Sequence, residues 1–551
     1  MDQQHNPDNQ RPAPSLNGRF RRRSLVQGAV AAGVTLPLLG TTIAARPSRW
    51  AAAQTEGQGG TLVFDLGSEP ENLDPHQIVA YTTSLLVGQI AEPLVHLSPE
   101  NLALEPWLAE SWEGAADGLA WTFTLREGIT FHDGTPCDAA AVKFSFDRQL
   151  DEANPFYATG QWTDEGNYAM VEEVRVDGPN VVTFVLSTPY NQFVQRLANT
   201  SGGWIVSPTA VETLGDAFIE NPVGTGPYLF DRWDKGQQVV LRRNDAYWGG
   251  TPGLDEIYFR ALTEEGARLT ALLTGEVTMA LDLGPEMVGR LSDSDDHSVV
   301  SGPTGSIWFL AMNVESEAFA DPRVRQAVNL AVDKRAIVED VLQNTVTTGH
   351  GPLSPAYPEY NPAVESLYAY DPERAMELLA EAEWPADRQV VFRCSIGGSG
   401  MLLAEEMATV IQENLRAVGM ETALEVTEFV SWMDAIRNAQ NELTVMSWNR
   451  APIEPDGLFN GILSEQSLPP GFNTSFYVNE EVEELYQTGR VSTDPEEATA
   501  AYLRAQELIM ADAPIVPVCH HQQTYALSNA VQNFVPRPNM ELDLRQVWVQ
   551  Q

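Results

Sequence analysis

The 551-residue sequence predicts a mixed α/β (α+β) protein with more than one domain, and three observations predict it. Residues 109–148, AESWEGAADGLAWTFTLREGITFHDGTPCDAAAVKFSFDR, follow a strand–turn–strand–turn–helix order. Amphipathic helical stretches alternate with short strands along the rest of the chain, with no internal repeat. Once a leader of roughly 55 residues is set aside, roughly 500 remain, which is too many for one hydrophobic core.

In order along the chain, Arg21-Arg22-Arg23-Ser24-Leu25 precedes a mildly apolar run from Val26 to Ala45. Paired arginines before such a run have the form of a twin-arginine export signal. Ala51-Ala52-Ala53 offers a cleavage site, with Ile43-Ala44-Ala45 as an alternative. The run contains Pro37 and is diluted with Gly and Thr, so it falls short of the ~20 apolar residues of a membrane span. Gln54 to Gly60 then reads as a leader.

Trp121 to Leu125 alternates apolar and polar residues as a half-buried strand does. Arg126-Glu127-Gly128 turns the chain, Ile129 to Phe131 returns, and Asp133-Gly134-Thr135-Pro136 turns it again. Asp138 is placed to cap a helix over 139–148. Val182, Phe184 and Leu186 mark another half-buried strand. Asp371-Pro372 starts a helix over 373–382, and Leu403 to Val418 carries Leu403, Met407, Ile411 and Leu415 on one face before Gly419 ends it.

The formal charge of −43 disfavours a nucleic-acid partner, because so acidic a surface repels phosphate. Residues 1–50 carry seven arginines against Asp2 and Asp8, so the remainder is still more acidic. Only Cys137, Cys394 and Cys519 are present; widely spaced and odd in number, they read as buried small hydrophobes rather than a disulfide framework or metal pair. None follows the apolar run, so no lipid-attachment cysteine is expected. No catalytic constellation stands out. Gly397-Gly398-Ser399-Gly400 ends in Met401 where a nucleophile elbow needs glycine. His520-His521 are adjacent, and on a strand they point to opposite faces and cannot share a metal. No cofactor and no metal are expected.

Five ordered segments carry a family resemblance: 109–148; GSEPENLDPH (67–76); NPVGTGPYLF with RRNDAYWGG (221–230 and 242–250); ADPRVRQAVNLAVDKRAIVEDV (320–341); and YDPERAMELLAEAEW with APIVPVCHHQQ (370–384 and 513–523). From about Gly59 to Gln550 the chain resembles the family 5 extracytoplasmic solute-binding proteins, the peptide and nickel receptors of ABC importers. The resemblance implies a two-lobe periplasmic-binding-protein type II-like fold with an additional inserted domain. It implies lobe I at 57–93, 207–311 and 514–551, the inserted domain II at 94–206, and lobe III at 312–513. Crossovers are implied near Ala311 to Asn313 and Asp512 to Pro514. It also implies a monomeric, non-enzymatic exported receptor in the periplasm or on the outer face of the cytoplasmic membrane, working with ABC permease subunits. The alternatives are a peptide or nickel-chelate sensor without a transporter, and a secreted hydrolase.

Tyr81, Trp308, Phe429 and Trp448 match cleft positions of the family, with Asn449 and Arg450 as directional donors after Trp448. In the oligopeptide receptors this segment holds an aspartate for the ligand's ammonium three residues after the Trp; here that position is Ala451, followed by Glu454-Pro455. A buried ammonium without a carboxylate partner costs several kcal/mol. The six residues therefore place a neutral or anionic solute, an oligosaccharide or acidic conjugate, slightly ahead of a simple dipeptide.

Overall fold

A computed structural model describes residues 59–78, 80–98, 102–158, 168–199, 201–291, 294–397, 401–448 and 453–550. The arginine pair, the apolar run and both cleavage candidates lie outside these residues. No helix among the described residues is long and apolar enough to cross a membrane.

Eleven strands share one sheet. Its centre is an antiparallel pair, a first crossing strand His297–Met312 and a second crossing strand Ile515–Ser528, in register from His297 opposite Ser528 to Ala311 opposite Ile515. Bulges interrupt the pairing between Pro303 and Ile307 and between Trp308 and Phe309. On one side the second crossing strand pairs with Met279–Leu281, which runs parallel to Thr61–Asp65; that strand in turn runs parallel to Glu256–Arg260. Gln238–Arg243 and Tyr228–Asp234 complete this half. On the other side the first crossing strand pairs with Leu443–Trp448, which runs parallel to Gln389–Ile396 and, through it, to Glu421–Glu428. Two parallel strand sets hung on one antiparallel pair give the two-lobe architecture.

The partner change sets the border between the halves. The second crossing strand meets Val346–Thr348 through Cys519 to His521 and Met279–Leu281 through Tyr525 to Leu527, leaving Gln522 to Thr524 between them. The first crossing strand joins Leu443–Trp448 only from Ile307 onward. The switch thus spans 301–306 and 522–524, whereas the expected crossovers were 311–313 and 512–514. Residues 307–311, expected in lobe I, hydrogen-bond into the lobe III half.

The inserted region carries its own antiparallel sheet in the order Ala109–Gly114, Ala120–Leu125, Val181–Leu186, Val171–Gly178. The helix Ala139–Leu150 covers it, its first turn capped by Asp138, whose side chain accepts from the Ala140 and Ala141 N–H groups. Phe146 of that helix meets Phe184 edge-on at 4.8 Å. The expected return strand at 129–131 shrinks to one bridge between Thr130 and Pro136, because the tight turn closes at once through the Phe131 N–H and the Thr135 carbonyl. The helices at Pro372–Glu381 and Ala404–Ala417 form where expected, and the three cysteines are buried and unpaired. In the G-T-G-P turn, a Cβ on Gly224 or Gly226 would collide with the carbonyls of Ile90 and Gln89, so close backbone approach requires glycine there.

Buried ion pairs fasten the inserted region at two places. Arg148 donates to both carboxylate oxygens of Asp74, at 3.2 and 2.7 Å, with side chains 4% and 1% exposed. Arg196 is paired with Glu454 of the lobe III half, and the Tyr190 hydroxyl donates to Glu454 and Asp456. Removing one member of a buried pair strands the other charge. Asp74→Ala is therefore expected to lower the free energy of unfolding by about 3–5 kcal/mol. The paired replacement Asp74→Leu with Arg148→Met should recover most of the loss in urea denaturation. A loss below about 1 kcal/mol for the single variant would show that the pair holds nothing together.

Candidate functional site

The two parallel strand sets point at each other. Met279 faces Leu527 and Leu281 faces Tyr525, so this set runs toward the middle of the second crossing strand. Leu443 faces Met312 and Trp448 faces Ile307, so the other set runs toward the middle of the first. Ligands of open α/β sheets sit outside the carboxyl ends of the strands. Here both sets of carboxyl ends converge on 301–306 and 522–524, and that gap is the candidate ligand cleft.

On the lobe I side the groups are polar. Asp282 follows Leu281 directly, with φ of 44°, a conformation that Asp tolerates better than most residues. Its N–H donates to the Thr524 carbonyl at 2.7 Å, and one carboxylate oxygen accepts the Thr524 N–H at 3.0 Å. The other accepts the Tyr81 hydroxyl at 2.9 Å, and the Gln523 side-chain amide donates to that hydroxyl at 2.9 Å. Tyr81 opens the helix Tyr81–Val87. Burial, and then the neighbouring Asp282, push its phenol well above the ordinary range, so it stays a hydrogen-bond donor. Asp282 is solvent-exposed, and desolvation by the protein beside it still raises its carboxyl pKa, against the opposing charge of Arg268. Among the described residues no Lys, Arg or His forms an ion pair with it.

On the lobe III side the groups are aromatic. Trp448 ends its strand half-buried, with its ring edge-on to Phe472 at 5.6 Å. Phe429 starts the helix Phe429–Arg437 immediately after Glu421–Glu428, half-buried, with its ring 5.6 Å from Trp432. The Arg437 guanidinium lies 5.6 Å from the Phe472 ring centre.

The structure thus places Tyr81, Phe429 and Trp448 at the carboxyl edges. Asn449 and Arg450 lie outside the described residues. Trp308 is a correction. Expected at the cleft mouth, it is fully buried in the lobe III core, because its register puts it on the strand face it shares with Leu310 and Met312. Helices that contribute Val324, Val328, Met407 and Ile411 cover that face, while Ile307 and Phe309 belong to the core on the opposite side. Glu454, part of the motif matched to the cleft, is also fully buried and engaged by Arg196. His520 and His521 are held neutral by burial, at about 3 and about 4. Among the described residues no group of three His, Cys, Asp or Glu is placed to hold a metal. Sequence reasoning missed Asp282 and Gln523. Their signals were faint: a carboxylate ending the run Met279-Ala280-Leu281, and two glutamines within the polar middle, His520 to Thr524, of a strand with apolar ends.

A cavity beside the Tyr81–Val87 helix has a mixed lining, with Ile78, Leu85, Trp204 and Leu542 alongside Glu92, His96, Glu541 and Arg545. Tyr81 forms part of its lining, whereas Asp282 and Gln523 do not.

Gly461, in the helix Pro455–Ile462, lets the Trp448 indole lie against backbone; a Cβ there would collide with the ring. Gly461→Ala is expected to cost about 1–3 kcal/mol by overpacking and to displace the indole. Both changes are measurable, by urea denaturation and near-ultraviolet circular dichroism. Unchanged stability and spectrum would mean that Trp448 is not held as described.

Residues 103–468 match the family described as bacterial extracellular solute-binding proteins, family 5 Middle. The glutathione-binding protein GsiB of Escherichia coli K12 is 30% identical over 488 residues, covering 87% of this chain and 92% of that protein. The periplasmic binding protein DppA from Helicobacter pylori, solved with the peptide STSA, is 26% identical with a TM-score of 0.73, covering 90% of this chain and 99% of that one. HbpA2 from Haemophilus parasuis, 24% identical, shares the fold with a TM-score of 0.83, covering 89% of this chain and all of that one. With opposed carboxyl edges on a shared crossing pair, and with these matches, the chain belongs to the bacterial extracellular solute-binding proteins of family 5.

Proposed function

We propose that the protein is an exported receptor that captures a short peptide or peptide-like solute between its lobes and delivers it to an ABC importer. The observation that carries this reading is the convergence of both sets of carboxyl ends on one gap, polar on one side and aromatic on the other. A relative named for glutathione and a structural neighbour solved with a tetrapeptide support the peptide class. The preference for an oligosaccharide or acidic conjugate rested on the aromatic set Tyr81, Trp308, Phe429 and Trp448, on Asn449 and Arg450 as donors, and on Ala451 in place of an aspartate; Asp282 and Gln523 stood outside it, and Trp308 is core. Tyr81, Phe429 and Trp448 are the proposed contacts. Two strands joining two lobes form a hinge, and contacts made only in the closed form shift the population toward it.

Calorimetry of the exported protein against di- to pentapeptides, glutathione and an oligosaccharide series tests the reading. Binding at about 1 μM is expected for members of the peptide series, equivalent to about −8 kcal/mol. Oligosaccharide binding with no peptide binding at millimolar concentration would overturn it. Solution scattering should show a smaller radius of gyration with the bound peptide, and an unchanged profile at saturation would remove the hinge.

Export through the twin-arginine signal belongs to the same proposal. Intact-mass measurement of the natively exported protein should give a chain that begins after the alanine-rich segment and carries no diacylglycerol. A species that retains residues 1–40, or bears lipid, would refute that.

A further inference from the structure

The hydrogen bonds around Tyr81 leave acceptors without donors. Ionised Asp282 accepts only, so the single Tyr81 hydroxyl proton points to it. The Tyr81 oxygen must then accept from Gln523, and this fixes the Gln523 amide with its nitrogen toward the tyrosine and Oε1 turned away. Gln523 is only 3% exposed, and its Oε1 has no hydrogen-bond partner among the described residues. A buried acceptor left unpaired keeps its full desolvation penalty. The Asp282 carboxylate has one protein donor on each oxygen; Arg268 lies near enough to act on it electrostatically but is paired with Asp65, and among the described residues no cation forms an ion pair with Asp282, so further lone pairs stay open on its exposed side. Both residues sit at the border between the two halves of the sheet, Asp282 at the end of Met279–Leu281 and Gln523 within the stretch Gln522 to Thr524 that belongs to neither outer strand.

We infer that Asp282 and Gln523, oriented by Tyr81, form the subsite for a primary ammonium group of the ligand. This inference rests on the peptide-receptor reading and deepens it. An ammonium has three N–H donors and no acceptor, which matches a carboxylate with open lone pairs beside one amide oxygen. Charge-assisted bonds of this kind are about twice as strong as neutral ones. The subsite supplies, from lobe I, the negative charge that Ala451 does not provide from lobe III. The Tyr81 hydroxyl has a positioning role here, since it is spent on holding Asp282 and Gln523, which leaves only the ring for the ligand contact proposed above.

Trialanine and N-acetyl-trialanine, titrated calorimetrically into the ligand-stripped full-length exported protein, test the assignment. The free-amine peptide should bind roughly 10- to 100-fold more tightly than the acetylated one. Asp282→Asn should weaken trialanine by about that factor, leave N-acetyl-trialanine unchanged and so erase the discrimination. Gln523→Met should weaken trialanine roughly 10-fold, and serves as an independent variant should Asp282→Asn disturb the turn. Tyr81→Phe should weaken trialanine less than Asp282→Asn does. If trialanine binds but acetylation makes no difference, or if Asp282→Asn and Gln523→Met both keep the full discrimination, this subsite is wrong while the receptor reading stands. If no free-amine peptide binds, both fall.

Discussion

The antiparallel pair of His297–Met312 with Ile515–Ser528 is the constraint on which everything else depends. Each strand is long enough to serve both halves of the sheet, so the lobes share backbone hydrogen bonds rather than side-chain contacts alone. Because the outer strands attach at opposite ends of the pair and run inward, their carboxyl ends are forced to face one another. The bulges sit near the change of partner, where the ladder is already interrupted. Interrupted pairing is where a shared sheet bends most easily, and the candidate cleft lies beside it.

The same pair explains which motif residues touch the gap and which do not. Both faces of the first crossing strand are buried, Ile307 and Phe309 on one side and Trp308, Leu310 and Met312 on the other. A large aromatic on such a strand is core whichever way it points. At the carboxyl ends, by contrast, the sheet has run out, so Phe429 and Trp448 keep part of their surface free. Glu454 follows the segment after Trp448 yet turns away to meet Arg196. The Trp and Glu-Pro parts of one motif thus do different work: the first at the cleft edge, the second as an anchor for the inserted region.

The inserted region is held by charge as well as by apolar packing. Arg148 reaches Asp74 beside the opening strand, and Arg196 reaches Glu454 across on lobe III. Glu92 is a third node, accepting from the Trp107 and Trp248 indoles and the Tyr247 and Thr225 hydroxyls. Burial raises its pKa, and these four donors act against that. Buried pairs of this kind specify geometry more than they add stability, because desolvation offsets much of the attraction.

The sequence by itself determined the local elements and the family. Caps such as Asp138 and Asp371 act within one turn, and the alternation at 121–125 and the 3.6-residue period at 404–417 are set by nearest neighbours. Even the opposed histidines follow from strand geometry alone: His520 is buried, while His521 retains some exposure. The tertiary structure decided the rest. Whether Trp308 faced solvent or core depended on helices packing over its face, which no period along a doubly buried strand reveals. Tyr81 and Gln523, 442 residues apart, share a hydrogen bond only because the chain returns through the sheet as its second crossing strand. Asp282 gains its place from the register of Met279–Leu281 against that strand. Local signals carry no information about such meetings, since chain topology, not spacing, brings the residues together.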